Sequence, residues 1–85
     1  MKEFYYSVRD EMGIHARPAG ILAKEAKKYS SSVTISRDKS SADLKKLFAV
    51  MQLAVKQGEK IRVSVEGPDE AEAAAALERF FRENV

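Results

Sequence analysis

Cysteine is absent from these 85 residues, and histidine occurs once. Without cysteine there is no disulfide framework and no thiolate metal site. A single histidine also excludes a zinc or iron centre built from several imidazoles, so neither a metal nor a cofactor is expected. No charged-then-apolar leader opens the sequence, and no apolar run approaches the roughly 20 residues that span a bilayer. A cytoplasmic protein without membrane insertion is the expectation. Aromatic residues are sparse where the chain is most basic: between residues 15 and 62 only Tyr29 and Phe48 are aromatic. Single-stranded nucleic acid is held by aromatic stacking along a basic track, so nucleic acid is not an expected partner.

What is present is an apolar content of 45% with 15 Lys and Arg against 13 Asp and Glu. That composition belongs to a folded globule, and the length to one domain over residues 1–85. The net charge of +2 conceals an asymmetry. Residues 15–62 carry 11 basic and 4 acidic side chains, whereas residues 63–85 carry 2 and 6. The basic part contains the histidine, and such a patch suits an acidic protein partner.

Periodicity gives the elements. Residues 3–9 alternate, with Phe4, Tyr6 and Val8 on one face, and predict a strand. Residues 10–13 read as a loop. From Ala16 to about Tyr29 the apolar spacing becomes helical, with Ala19, Leu22, Ala23, Ala26 and Tyr29 on one stripe. A second strand is expected over 32–37, a turn at Asp38-Lys39 and a short strand over 40–42. Residues 44–54 predict a short helix starting at Leu44 with Asp43 as its cap. Its apolar residues cannot all face one core, so the stripe of Leu44, Leu47 and Met51, or that of Val50, Leu53 and Ala54, is partly exposed. Residues 60–66 alternate again, and Gly67-Pro68 closes that strand. A last helix follows, with Asp69 and Glu72 spaced as a capping box and Ala73, Leu77 and Phe80 or Phe81 as its buried stripe. The order β-α-β-β-α-β-α with cleanly alternating strands predicts an α+β fold. It is an open-faced β-sandwich, a four-stranded antiparallel sheet covered on one face by three helices.

The histidine stands in Gly13-Ile14-His15-Ala16-Arg17-Pro18-Ala19. Imidazole is a nucleophile at neutral pH, its ordinary pKa being about 6.5. Pro18 places a helix start close to His15, since the first turn needs no proline N–H. A helix start offers unpaired amides and a dipole that favours anions, and Arg17 adds a planar cation suited to phosphate oxygens. These residues together describe a phosphate-handling site. Gly20, a poor helix former, leaves open ground one turn beyond the histidine.

This motif resembles the active-site signature of HPr, the histidine phosphocarrier family of the bacterial phosphoenolpyruvate:sugar phosphotransferase system. The stretch from Leu44 to Leu53 is similar to that family's short middle helix, and Gln57-Gly58, Glu66-Gly67 and Asp69-Glu70 fall where members carry like residues. The resemblance covers essentially the whole chain. It implies a carrier and not a stand-alone enzyme. Enzyme I would pass a phosphoryl group to Nδ1 of His15, which would hand it to a histidine of a sugar-specific IIA domain. Arg17 would be the charge partner, and the amides of Ala16 and Arg17 would cradle the oxygens. Leu47, Phe48 and Met51 would form the docking surface, beside Gly20 and ringed by Lys24, Lys27, Lys45 and Lys46. A monomer is expected. Many members carry a serine where this chain has Lys46, a serine that in some bacteria a kinase phosphorylates; lysine cannot form that ester. Met12 likewise replaces a small polar residue. A second reading is a regulatory binding module on the same fold that does not cycle phosphate. Possession of both His15 and Arg17 speaks against it, because a pure binding module needs no nucleophile.

Overall fold

Alternation at period two dictates the sheet. In the computed structural model, which describes residues 1–85, the strands are β1 (Lys2–Ser7), β2 (Ser32–Arg37), β3 (Ser40–Asp43) and β4 (Lys60–Glu66). They form one antiparallel sheet in the order β1-β4-β2-β3. Ile61, Val63 and Val65 of the central strand β4 are fully buried, while Lys60, Arg62 and Glu66 are exposed. The register sets Phe4 and Ile35 on either side of Val63, so one face of the sheet is a continuous apolar layer. The β2–β3 hairpin turns on Asp38 and Lys39, with Asp38 at φ 54°, a left-handed conformation that Asp tolerates better than most residues.

The three helices are α1 (Ala16–Ala26), α2 (Leu47–Gln52) and α3 (Glu70–Asn84). Leu22 and Ala26 of α1, Val50 of α2 and Leu77 and Phe81 of α3 join the strand residues in one core. Phe81 meets Phe4 and Tyr6 edge-on, with ring centroids 5.8 and 5.7 Å away. Such contacts add about 0.5–1.5 kcal/mol each beyond area burial. The opposite face of the sheet is left to Ser32, Thr34, Ser36, Arg62 and Ser64. The architecture is the open-faced α+β sandwich that the element order predicts.

Three local expectations are corrected. First, α1 ends at Ala26, because Lys28 and Tyr29 donate to carbonyls three residues back and tighten the last turn. Second, α2 begins at Leu47, one turn later than the apolar run implies. The Leu44 amide is taken by Val33 O at 2.9 Å, which holds Leu44 in the turn after β3, beside β2 and fully buried. Asp43 Oδ1 accepts from the Lys45 amide at 2.9 Å and shapes the corner, while Lys46 occupies the N-cap without a side-chain bond. The apolar residues therefore divide differently: Leu44, Val50 and Leu53 face inward, Phe48 and Met51 outward, and Leu47 is half-buried between them. Third, Asp69 is the N-cap residue of α3, but no capping box forms. Its carboxylate reaches across to the amides of Ser30 and Ser31, both at 3.0 Å, and to the Ser31 hydroxyl. Asp69 thus ties the α1–β2 connection to the start of α3.

Candidate functional site

The loop before His15 is fixed at both sides. Gly13 has φ 67°, and its amide donates to Asp10 O at 2.9 Å. The Ile14 amide donates to Val55 O, also at 2.9 Å, and the Ile14 side chain is buried. A Cβ on Gly13 would lie 2.1 Å from Val55 O, so only glycine permits this approach. The chain then turns into α1 with His15 as N-cap in extended conformation, φ −92° and ψ −170°. The His15 carbonyl accepts the Ala19 amide at 2.9 Å, the first bond of the helix.

No side chain caps α1, and the amides of Ala16 and Arg17 are left without partners in the chain. Pro18 in the same turn has no N–H to satisfy. Two donors at a helix start, where the dipole favours negative charge, thus adjoin the imidazole. The His15 side chain is about one-third exposed (32%) and its Nε2 lies 3.8 Å from Asp10 Oδ2. Arg17 is exposed, and no carboxylate of the chain pairs with it. Asp10, His15, Arg17, Pro18 and Ile21 line a shallow pocket of about 280 Å³ together with Glu83 and Asn84 of α3. The site can therefore present a nucleophilic nitrogen, two free amides and an unpaired guanidinium to one small anion. No group of three or more His, Asp or Glu side chains converges as a metal site needs.

The sequence reading missed Asp10, Glu83 and Asn84. Asp10 had a local signal, since an Asp three residues before a glycine commonly folds back on the turn amides. Its Oδ1 indeed accepts from the Met12 amide at 2.9 Å. The C-terminal residues had none, because only the packing of α3 brings them to the pocket: Val85 O accepts the amides of Arg9 and Asp10 at 3.0 and 2.8 Å.

The second group of expected site residues lies on the adjoining α1–α2 surface. Phe48 is 74% exposed and Met51 36% exposed, while Leu47 is half-buried against the core. Leu47, Phe48, Lys27, Lys45 and Lys46 line one open groove of about 630 Å³. Lys45 is less free than a rim residue: its Nζ donates to Tyr29 O at 2.8 Å. Lys24 is exposed on α1 outside that groove. A Cβ on Gly20 would meet only Leu47 Cδ1, at 4.0 Å, so Gly20 leaves a gap between the helices. Arg37 fixes the far end of α2, donating from Nε and Nη2 to Leu53 O at 3.0 and 2.7 Å. The largest concavity of the molecule lies elsewhere, over the uncovered sheet face. Its lining of serines with Lys39, Arg62, Glu3 and Glu66 is the solvated face that strand alternation requires.

The chain is similar to known proteins over nearly its full length. The family model described as PTS HPr component phosphorylation site matches residues 2–83. The phosphocarrier protein HPr of Lysinibacillus sphaericus is 40% identical over 83 residues, 98% of this chain and 94% of that protein. Among solved structures, HPr of Thermoanaerobacter tengcongensis superposes with a TM-score of 0.93 at 34% identity, covering 99% of this chain and 94% of that one. The catabolite repression protein Crh of Bacillus subtilis, a domain-swapped dimer, gives 0.78 at 32% identity, covering 100% and 98%. With its single histidine at the start of α1 and a match over nearly its full length, the chain belongs to the HPr family of phosphocarrier proteins of the phosphotransferase system.

Proposed function

We propose that this protein is a cytoplasmic, monomeric phosphoryl carrier that takes a phosphoryl group from enzyme I onto His15 and gives it to a histidine of sugar-specific IIA domains. The observation that carries this reading is the position of the chain's only imidazole at the N-cap of α1, beside the free amides of Ala16 and Arg17. In phosphoryl transfer the protein's task is to position groups and stabilise charge, and these residues supply both. Arg17 meets the phosphoryl oxygens as a planar cation, and the two amides meet them as fixed dipoles. A carrier must also release its cargo. An exposed arginine and two amides hold the group without burying it, which suits reversible transfer. Leu47, Phe48 and Met51 supply an apolar anchor beside lysines, a surface matched to an acidic partner with an apolar centre.

The test is incubation with enzyme I, magnesium and phosphoenolpyruvate. An acid-labile phosphate on His15 is expected, and none on His15→Ala, which keeps its fold because the side chain lies outside the core. Phosphate appearing on the His15→Ala variant, or none on the unaltered protein, overturns the reading.

A further inference from the structure

We infer that Asp10 is a positioning residue for His15, holding the proton on Nε2 so that Nδ1 is the nitrogen free to take phosphate. The inference rests on the carrier reading above. The main-chain and side-chain bonds of Asp10 leave one atom over. Its amide donates to Val85 O at 2.8 Å, its carbonyl accepts from Gly13 at 2.9 Å, and its Oδ1 accepts from Met12 at 2.9 Å. Two bonds thus hold the Asp10 main chain and one holds its carboxylate, and only Oδ2 lacks a hydrogen-bond donor. That oxygen faces His15 Nε2 at 3.8 Å, with both side chains about one-third exposed.

An anion beside Nε2 favours the ring form that carries its proton there. Nδ1 then keeps its lone pair. In the transfer step this pair forms the bond to phosphorus, and the donor histidine's N–P bond breaks with its electrons returning to that nitrogen. No proton leaves the His15 ring, which becomes formally cationic with Nε2–H retained. Asp10 offsets that new positive charge from one side while Arg17 and the amides of Ala16 and Arg17 meet the phosphoryl oxygens from the other. Phosphorylation therefore strengthens the Asp10–His15 attraction at the moment the charge appears. Glu83 is the other carboxylate lining the pocket, but only Asp10 comes within ion-pair distance of the ring. Because the pair is partly exposed, the effect is limited to about two- to fivefold, the range such ion pairs support.

Asp10→Asn keeps an oxygen for the Met12 amide and removes the charge. Nitrogen-15 NMR of the unmodified protein at about pH 8.5, where imidazole is neutral, reads the two ring tautomers directly. The Nε2–H to Nδ1–H ratio is expected to fall two- to fivefold in Asp10→Asn and to hold in Glu11→Gln, an equal charge change in the same loop. The equilibrium of phosphoryl exchange with enzyme I should shift towards phosphorylated enzyme I by a similar factor in Asp10→Asn alone. If Asp10→Asn does not fold, Asp10→Ser keeps an acceptor in the turn and enters the same two measurements. An unchanged tautomer ratio, or an equal change in Glu11→Gln, overturns the inference. If the unaltered protein takes no phosphate, the carrier reading fails by itself, and the tautomer ratio still decides the role of Asp10.

Discussion

Replacing Gly13 by alanine should do far more harm than replacing Gly58, although both glycines have positive φ. Gly58, at φ 87°, has nothing within 4 Å of an added Cβ. Alanine there suffers only the left-handed penalty, about 1 kcal/mol. Gly13, at φ 67°, incurs a similar backbone cost and a collision as well. The new Cβ would stand 2.1 Å from Val55 O and 2.8 Å from Lys56 Cα. Both are main-chain atoms with no rotamer to yield, and the same carbonyl accepts the Ile14 amide at 2.9 Å. Relieving the overlap costs about 1–3 kcal/mol, so the total for Gly13→Ala is about 2–4 kcal/mol. In a domain of this size 1 kcal/mol moves the melting temperature by about 4–8 °C. Thermal or urea unfolding should therefore separate the variants clearly, with Gly13→Ala lower by about 10 °C or more and Gly58→Ala by less than about 8 °C. Because Ile14 and His15 follow directly, Gly13→Ala should also slow phosphorylation well below its melting temperature, and Gly58→Ala should not. Equal losses of stability in the two variants would refute the argument.

The docking surface yields a second prediction: Phe48→Asp should weaken binding to enzyme I by about 1–2 kcal/mol with little change in melting temperature, whereas the half-buried Leu47 should lose stability as well. Calorimetric titration paired with thermal unfolding separates the two effects. At the neighbouring position Lys46→Ser should weaken enzyme I binding more at low salt than at high salt, since an exposed rim charge acts mainly through association rate. Equal affinity at both ionic strengths would remove Lys46 from the docking surface. Ala54 follows α2 at φ 53°, a left-handed conformation suited to glycine. Ala54→Gly should raise stability by up to about 1 kcal/mol in urea unfolding, and a loss would show that the turn is not strained. The Ser31 hydroxyl, and then the Ser30 amide, hold the Asp69 carboxyl below its ordinary pKa. A carboxyl lowered in the folded state contributes stability above its unfolded pKa, about 4, and loses it as pH falls through the folded value. The stability difference between the unaltered protein and Asp69→Asn should therefore be constant from pH 5 to 7 and shrink below about pH 4.

Local chemistry determined much of this protein. Alternation in 32–37 and 60–66 fixed β2 and β4 to the residue, because each side chain must choose between the core and water. His15, Ala16, Arg17 and Pro18 are contiguous, so the nucleophile, the free amides and the cation were legible together as a helix start. That part of the apolar run in 44–54 would be exposed followed from its number, since a helix of that length has one inward face; which residues face outward did not. Tertiary structure decided the rest. Leu44 looks helical in isolation, yet β2 claims its amide and moves the start of α2 to Leu47. Asp69 and Glu72 have the spacing of a capping box, yet Ser30 and Ser31, some 39 residues away, offer Asp69 three donors at once. Asp10 beside His15 is close in sequence, but its main chain is held by Val85 at the far end of the chain. Patterns repeated within a few residues report local preference. Which of two satisfactory partners a polar group takes is settled only when distant segments meet.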